Sequence, residues 1–286
     1  MPIIISDSLV LGTVDNPTNT PIFLWESILT TGVAVVDASS EDADHPAANL
    51  SNPITAQYWA ADEADIADDI YLTVSIISVT PVIVDAVGLA VHNFGSGQNV
   101  ISVEGTTDNL ETGSPQWSEL VQEQLLANDD PVILRFTPQS LTGLRLKIQP
   151  SSTLSVPYLS VMYVGKLLVC ERGTHADHVP ITFGRDWKQL TNMSESGHFL
   201  DRILTSESRS TRFDLKLIRQ TWYRQNMDAF IDAAKLTPFF FAWRPQTYPA
   251  DVGYCWLTQP PQPAVHFETG RVIVSFEMNG IAASVG

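Results

Sequence analysis

The stretch from residue 70 to residue 169 sets the tightest limit on the fold. It holds short runs rich in Val and Ile at 70–79, 82–92, 100–104, 132–136, 144–148 and 158–169. The breaks at 93–98, 113–115 and 150–153 supply Gly, Pro, Ser and Asn, the residues that turn a chain between strands. Leu144, Leu146 and Ile148 alternate with Arg145, Lys147 and Gln149, which predicts one buried face and one wet face. Several such strands at short spacing predict a sandwich or a barrel. Upstream, apolar runs at 3–5, 9–11, 22–25 and 33–36 flank the turn-rich Asp15-Asn16-Pro17-Thr18-Asn19-Thr20-Pro21. Residues 1–36 therefore read as an N-terminal arm or edge strands.

Beyond Cys170 the pattern changes. Residues 171–180 are polar and read as a linker. Strands are expected at 179–183, 199–204 and 211–218, then a helix over 222–236 with Tyr223, Met227, Phe230, Ile231 and Ala234 on one side. Pro238 follows, as it does beyond helix ends. Further strands are expected at 239–243, 254–257 and 271–278. Residues 181–286 thus read as an α+β domain with one main helix, after an acidic sandwich over 37–170.

Charge divides the chain at the same place. Residues 1–170 carry 4 Lys and Arg against 20 Asp and Glu, whereas residues 171–286 carry 12 of each. The net charge of −16 therefore belongs to the first part. Such a surface repels phosphate, so no nucleic acid and no anionic membrane is expected as a partner. No run approaches the ~18 apolar residues of a membrane span, so no membrane insertion is expected. Only 17% of residues are charged, a composition that suits a protein burying much of its exterior against partners. Cys170 and Cys255 cannot build a four-thiolate zinc site and read as buried thiols.

No phosphate-binding Gly-rich loop and no Gly-x-Ser-x-Gly elbow is present, and no cofactor is expected. His175, Asp177 and His178 combine imidazoles with a carboxylate and are the candidate metal ligands; the plainer alternative is a solvated loop. The acidic clusters at 41–44 and 62–69 lack the spacing of a calcium loop and read as solvated faces. Trp59 and Trp117 are the candidate glycan contacts, since aromatic rings stack on sugars, although core packing competes for both. Arg209, Arg212, Trp222 and Trp243 are the candidate subunit-interface residues, because Trp and Arg dominate binding hot spots.

Two resemblances add to this reading. Ala48-Asn49-Leu50 followed by Trp59, the run 87–92 ending in His92-Asn93, the runs 132–136 and 144–148, and the closing Val164-Gly165 resemble a galactose-binding-like, discoidin-type jelly roll over about residues 30–170. That fold implies binding to sugars or other surfaces, but its ligand residues do not map onto this sequence. Arg212-Phe213-Asp214-Leu215-Lys216-Leu217, the amphipathic helix, the run 238–243 and the run 272–278 are similar to the tail-tube-like domains of distal tail and minor tail proteins of tailed bacteriophages. This second resemblance covers about residues 175–286 and implies that sheets of neighbouring subunits join into a ring.

The sequence therefore predicts a non-enzymatic virion protein at the distal tail or tail tip. Its expected partners are copies of itself in a hexameric or trimeric ring and other tail-tube and tail-tip proteins. The alternatives are an appendage that binds host surface glycan and a glycan-active hydrolase.

Overall fold

The computed structural model describes residues 3–13, 17–78, 82–110, 114–151, 155–174, 178–266 and 268–282. The protein is mostly β. In chain order the strands are β1 (Ile3–Ile5), β2 (Ile22–Leu24), β3 (Ala34–Ala38), β4 (Trp59–Ala60), β5 (Ile70–Ile76), β6 (Val82–His92), β7 (Val100–Thr106), β8 (Ser118–Leu125), β9 (Val132–Leu141), β10 (Gly143–Gln149), β11 (Tyr158–Gly165) and β12 (Leu168–Val169). There follow β13 (Asp186–Met193), β14 (Phe199–Ile218), β15 (Phe239–Ala242), β16 (Val252–Leu257), β17 (Ala264–Val265) and β18 (Val272–Ala282). Between β14 and β15 runs the helix α1, residues 220–233, whose middle turn Tyr223–Met227 is π-helical.

These strands stack as layers. The outer sheet has the order β3-β5-β10-β7-β8 and the middle sheet β1-β9-β6-β11-β4; together they form the sandwich. The third sheet has the order β12-β2-β15-β16-β18-β14-β13. One core fills the sandwich, with Leu72, Val74, Val87, Leu89, Val103, Leu134, Phe136, Leu144 and Leu146. A second lies between the middle and third sheets, where Ala86, Ala90, Ile133 and Tyr163 meet Leu24, Phe240, Val252 and Tyr254. The third sheet's other face packs on α1 through Phe213, Met227, Phe230, Phe239, Phe241 and Phe276. Strands buried on both faces read as unbroken apolar runs. That is why Phe239-Phe240-Phe241 shows no alternation: Phe239 and Phe241 face the helix, and Phe240 faces the sandwich.

The second unit is clamped to the sandwich. A Cβ at Gly88 would lie 2.7 Å from the Phe240 ring, so glycine is what admits Phe240 there. The Tyr163 hydroxyl donates to the Pro238 carbonyl at 2.8 Å, and the Tyr254 hydroxyl donates to the Pro53 carbonyl at 2.7 Å. Each bond ties one unit to the other, so buried polar atoms are satisfied across the boundary.

Several elements differ from the sequence expectation. β1 is indeed an edge strand, parallel to β9, but β2 is an interior strand of the third sheet, between β12 and β15. The sandwich's last strand ends at Gly165, because β12 joins the third sheet. β8 and β13 are not legible as strands: β13 is exposed throughout, and β8 is polar apart from Leu120 and Val121, which alone turn into the sandwich core, so neither shows an apolar run. No strand forms at 179–183, where a single bridge links Val179 to Arg212. In the expected linker, Glu171 accepts from the Arg219 backbone N–H at 2.9 Å and pairs with its guanidinium.

Candidate functional site

The feature without a structural explanation inside the chain is the hairpin β13–β14. The second half of β14 is ordinary sheet, paired with β18 from Arg209↔Gly280 to Ile218↔Val272. The first half leaves the body. All eight residues of β13 and the first nine of β14 are exposed, and they pair only with each other. The turn closes locally: Ser194 N–H donates to the His198 carbonyl at 2.8 Å, and Gly197 supplies the left-handed conformation at φ 81°. The base is fixed by the Asn279 amide donating to Asp186 at 3.1 Å, and by Gly184, where any Cβ would strike the Ser210 carbonyl at 1.7 Å.

The ribbon is apolar on both faces. The register pairs Trp187 with Glu207, Gln189 with Leu204, Thr191 with Arg202 and Met193 with Phe199, which puts Trp187, Leu204, Met193 and Phe199 on one face. Leu190 and Ile203 are paired on the other. These six and Leu200 are each 51% to 63% exposed. A two-stranded ribbon is marginal in water by itself, and an apolar, unpaired edge is a template for another chain.

The surrounding charges are spent within the chain. Arg185 pairs with Glu207 and Arg212 with Glu277, each at 3.7 Å, and Lys216 with Asp214 at 3.2 Å. The acid and Arg mixture near β14 therefore holds the arm's base. Of the expected interface residues, Arg209 is buried, Arg212 is exposed, and Trp222 packs half-buried on the helical core. Trp243 donates its indole N–H to Asp251 at 2.8 Å and stacks on Tyr248 at 5.2 Å.

The expected glycan contacts part company. Trp59 is 0% exposed and donates its indole N–H to the Ser40 carbonyl at 3.0 Å. It is a sandwich-core residue with no ring face open to a ligand, which corrects the expectation. Trp117 is half-buried on the wet face, with the Arg145 guanidinium 4.4 Å from its ring and 4.4 Å from that of Tyr71. Arg145 also pairs with Glu104 at 2.5 Å. His175 and Asp177 lie outside the described residues. His178 sets its Nδ1 3.1 Å from the Arg212 carbonyl, its ring lies 4.1 Å from that of Trp243, and burial lowers its pKa. Among the described residues no three His, Cys, Asp or Glu side chains gather as metal ligands, and no helix is long and apolar enough to cross a membrane.

No protein-family profile matches the sequence, and no curated protein matches it. Solved structures do share part of its shape. Chitosan-binding module 1 of a chitosanase/glucanase from Paenibacillus sp. IK-5 is 18% identical at a TM-score of 0.39, covering 46% of this chain and 94% of that module. CpGH89CBM32-5 from Clostridium perfringens, solved in complex with GalNAc-beta-1,3-galactose, is 11% identical at a TM-score of 0.40, covering 49% and 99%. A GH29 fucosidase from Ruminococcus gnavus is 15% identical at a TM-score of 0.39, covering 49% of this chain and 26% of that one.

Proposed function

We propose that this chain is a non-catalytic structural subunit of a bacteriophage tail tip, which assembles with copies of itself into a ring. The hairpin is the assembling arm and the acidic sandwich faces outward. The observation that supports assembly is the ribbon over 186–208, with seven large apolar side chains exposed and no body of the chain beneath them. Charge supports a division of labour. Two sandwiches, each carrying most of −16, repel one another, whereas the second unit is neutral and can meet its own copy. The tail setting rests on the resemblance of residues 175–286 to tail-tube-like domains. Mass photometry and electron microscopy of the full chain test it. The expected result is a closed multimer for the natural chain, and a monomer of unchanged circular dichroism for Trp187→Asp with Leu204→Asp. A natural chain that stays monomeric at micromolar concentration, or tail particles lacking it, sinks the proposal.

A second reading is glycan binding by the sandwich. The similar modules are named for, or solved with, carbohydrate, and in this chain Trp117 and Tyr71 sit on a wet face beside Glu104, Arg145 and Lys147. Glycan-array binding that Trp117→Ala abolishes would favour it. Turnover of a polysaccharide by the purified chain would overturn both readings in favour of a hydrolase.

A further inference from the structure

A small pocket of about 540 Å³ opens between the start of α1 and the paired strands β17 and β18. Its sheet side is apolar. Val272 is buried, and Pro263 and Val265 form an exposed lip, with Val265 held beside Val272 by strand pairing. Its helix side is polar. Gln220 fixes the edge, donating its amide to the Gly270 carbonyl at 2.7 Å across the turn that leads into β18. Tyr223 is only 8% exposed, yet among the described residues its hydroxyl has no hydrogen-bond partner, and the residue lines the pocket. Burial, with Asp228 and Asp232 nearby, raises its pKa, so the hydroxyl remains a donor at neutral pH.

Arg224 and Asp228 stand exposed at the rim, and among the described residues neither makes an ion pair. Charges at either end of the same helix are spent: Arg219 pairs with Glu171, and Lys235 with Asp232. Arg and Asp at i and i+4 of a helix are neighbours that commonly pair. Here they stay apart on the π-helical turn, which the Asp228 N–H closes by donating to the Tyr223 carbonyl. Such wide turns recur at functional sites.

We infer that this pocket binds a small zwitterion with an apolar body, of the α-amino-acid class. Its carboxylate meets Arg224 and the Tyr223 hydroxyl, its ammonium meets Asp228, and its side chain lies against Pro263, Val265 and Val272. This goes beyond the assembly reading and does not depend on it. Size, charge and lining choose the class. The volume falls within the roughly 300–1,000 Å³ of small-ligand sites and is too small for a protein element. The two free charges are of opposite sign, so a simple anion would face Asp228 and a simple cation would face Arg224; only a ligand carrying both satisfies the pair. The apolar lip and floor take a hydrocarbon body, where a sugar would set hydroxyls against them.

Calorimetric titration of the full chain with L-leucine and L-phenylalanine tests the site, and it reads the same in a monomer or a multimer. At least one of the two is expected to saturate the protein below about 10 mM. Leucinamide, which lacks the anion, and N-acetylleucine, which lacks the cation, are each expected to bind roughly tenfold more weakly than leucine. Arg224→Gln should erase the preference for leucine over leucinamide, and Asp228→Asn the preference over N-acetylleucine. Both side chains are exposed, so the fold is expected to stand, with unchanged circular dichroism. Tyr223→Phe, which removes only the hydroxyl, should weaken leucine binding several-fold. No saturation by either amino acid overturns the inference. So does binding that the blocked ligands match, that galactose reproduces, or that Arg224→Gln and Asp228→Asn leave unchanged.

Discussion

Replacing Phe240 by alanine tests whether the layered body unfolds as one piece. Phe240 is 0% exposed, with its ring 5.5 Å from Tyr163 of the sandwich and 5.0 Å from Tyr254 of its own sheet. It fills the space that Gly88 leaves. Of its lining only the Leu24 side chain beside Gly88 can shift, too little to fill the space of a ring, while Tyr163 and Tyr254 are each held by a hydrogen bond to a backbone carbonyl. The cavity therefore stays open, and the cost falls in the range of about 3–5 kcal/mol for truncating a buried Phe. At roughly 2.1 cal/mol/K of unfolding entropy per residue, a chain of 286 residues loses about 1.7 °C of melting temperature for each kcal/mol. The expected shift is thus about 5–8 °C. Scanning calorimetry should show one transition in both proteins, displaced as a whole. Two transitions in the natural chain, with only the later half of the sequence moved by the substitution, would refute the idea that the middle sheet is a shared layer.

Other expectations follow from buried groups. Asp85 lies where the sandwich meets the second unit and accepts from the Leu167 N–H at 2.7 Å; burial pushes its carboxyl up to about 6. Its contribution to stability is therefore full below about pH 4 and is lost as pH rises through 6, a change of about 3 kcal/mol. His92 runs the other way: burial pushes its imidazole down to about 4, so its contribution is present above 6.5 and lost as pH falls through 4, again by about 3 kcal/mol. Urea midpoints between about pH 4 and 7 should be nearly flat in the natural chain, fall with acid in Asp85→Asn, and rise with acid in His92→Gln; three parallel curves would contradict this. Gly184→Ala should loosen the hairpin base against Ser210, raising amide exchange across 186–208 while leaving the sandwich amides unchanged. Both thiols are pushed well up by burial, so a thiol reagent should label Cys170 and Cys255 only on unfolding, and labelling of the native chain would show that one of them opens.

The sandwich was legible because its strands announce themselves. Val82–His92 was bounded correctly from composition alone, and the alternation in β10 named its buried face. The charge break near residue 170 likewise separates an acidic part from a neutral one in the sequence itself. What could not be read was anything set by partners distant in sequence. Ile22–Leu24 looks like an arm, yet it lies inside the third sheet, because its neighbours Phe240–Ala242 arrive more than 200 residues later. Trp59 looks like a sugar platform, and only its surroundings make it core. The hairpin is the clearest case. Its strand β13 has too little apolar content to be seen, and its apolar residues look like ordinary core residues until the fold leaves nothing beneath them. Local chemistry determined which segments extend and where charge sits. Tertiary structure decided which apolar faces were covered and which were left open, because burial depends on what the rest of the chain brings alongside.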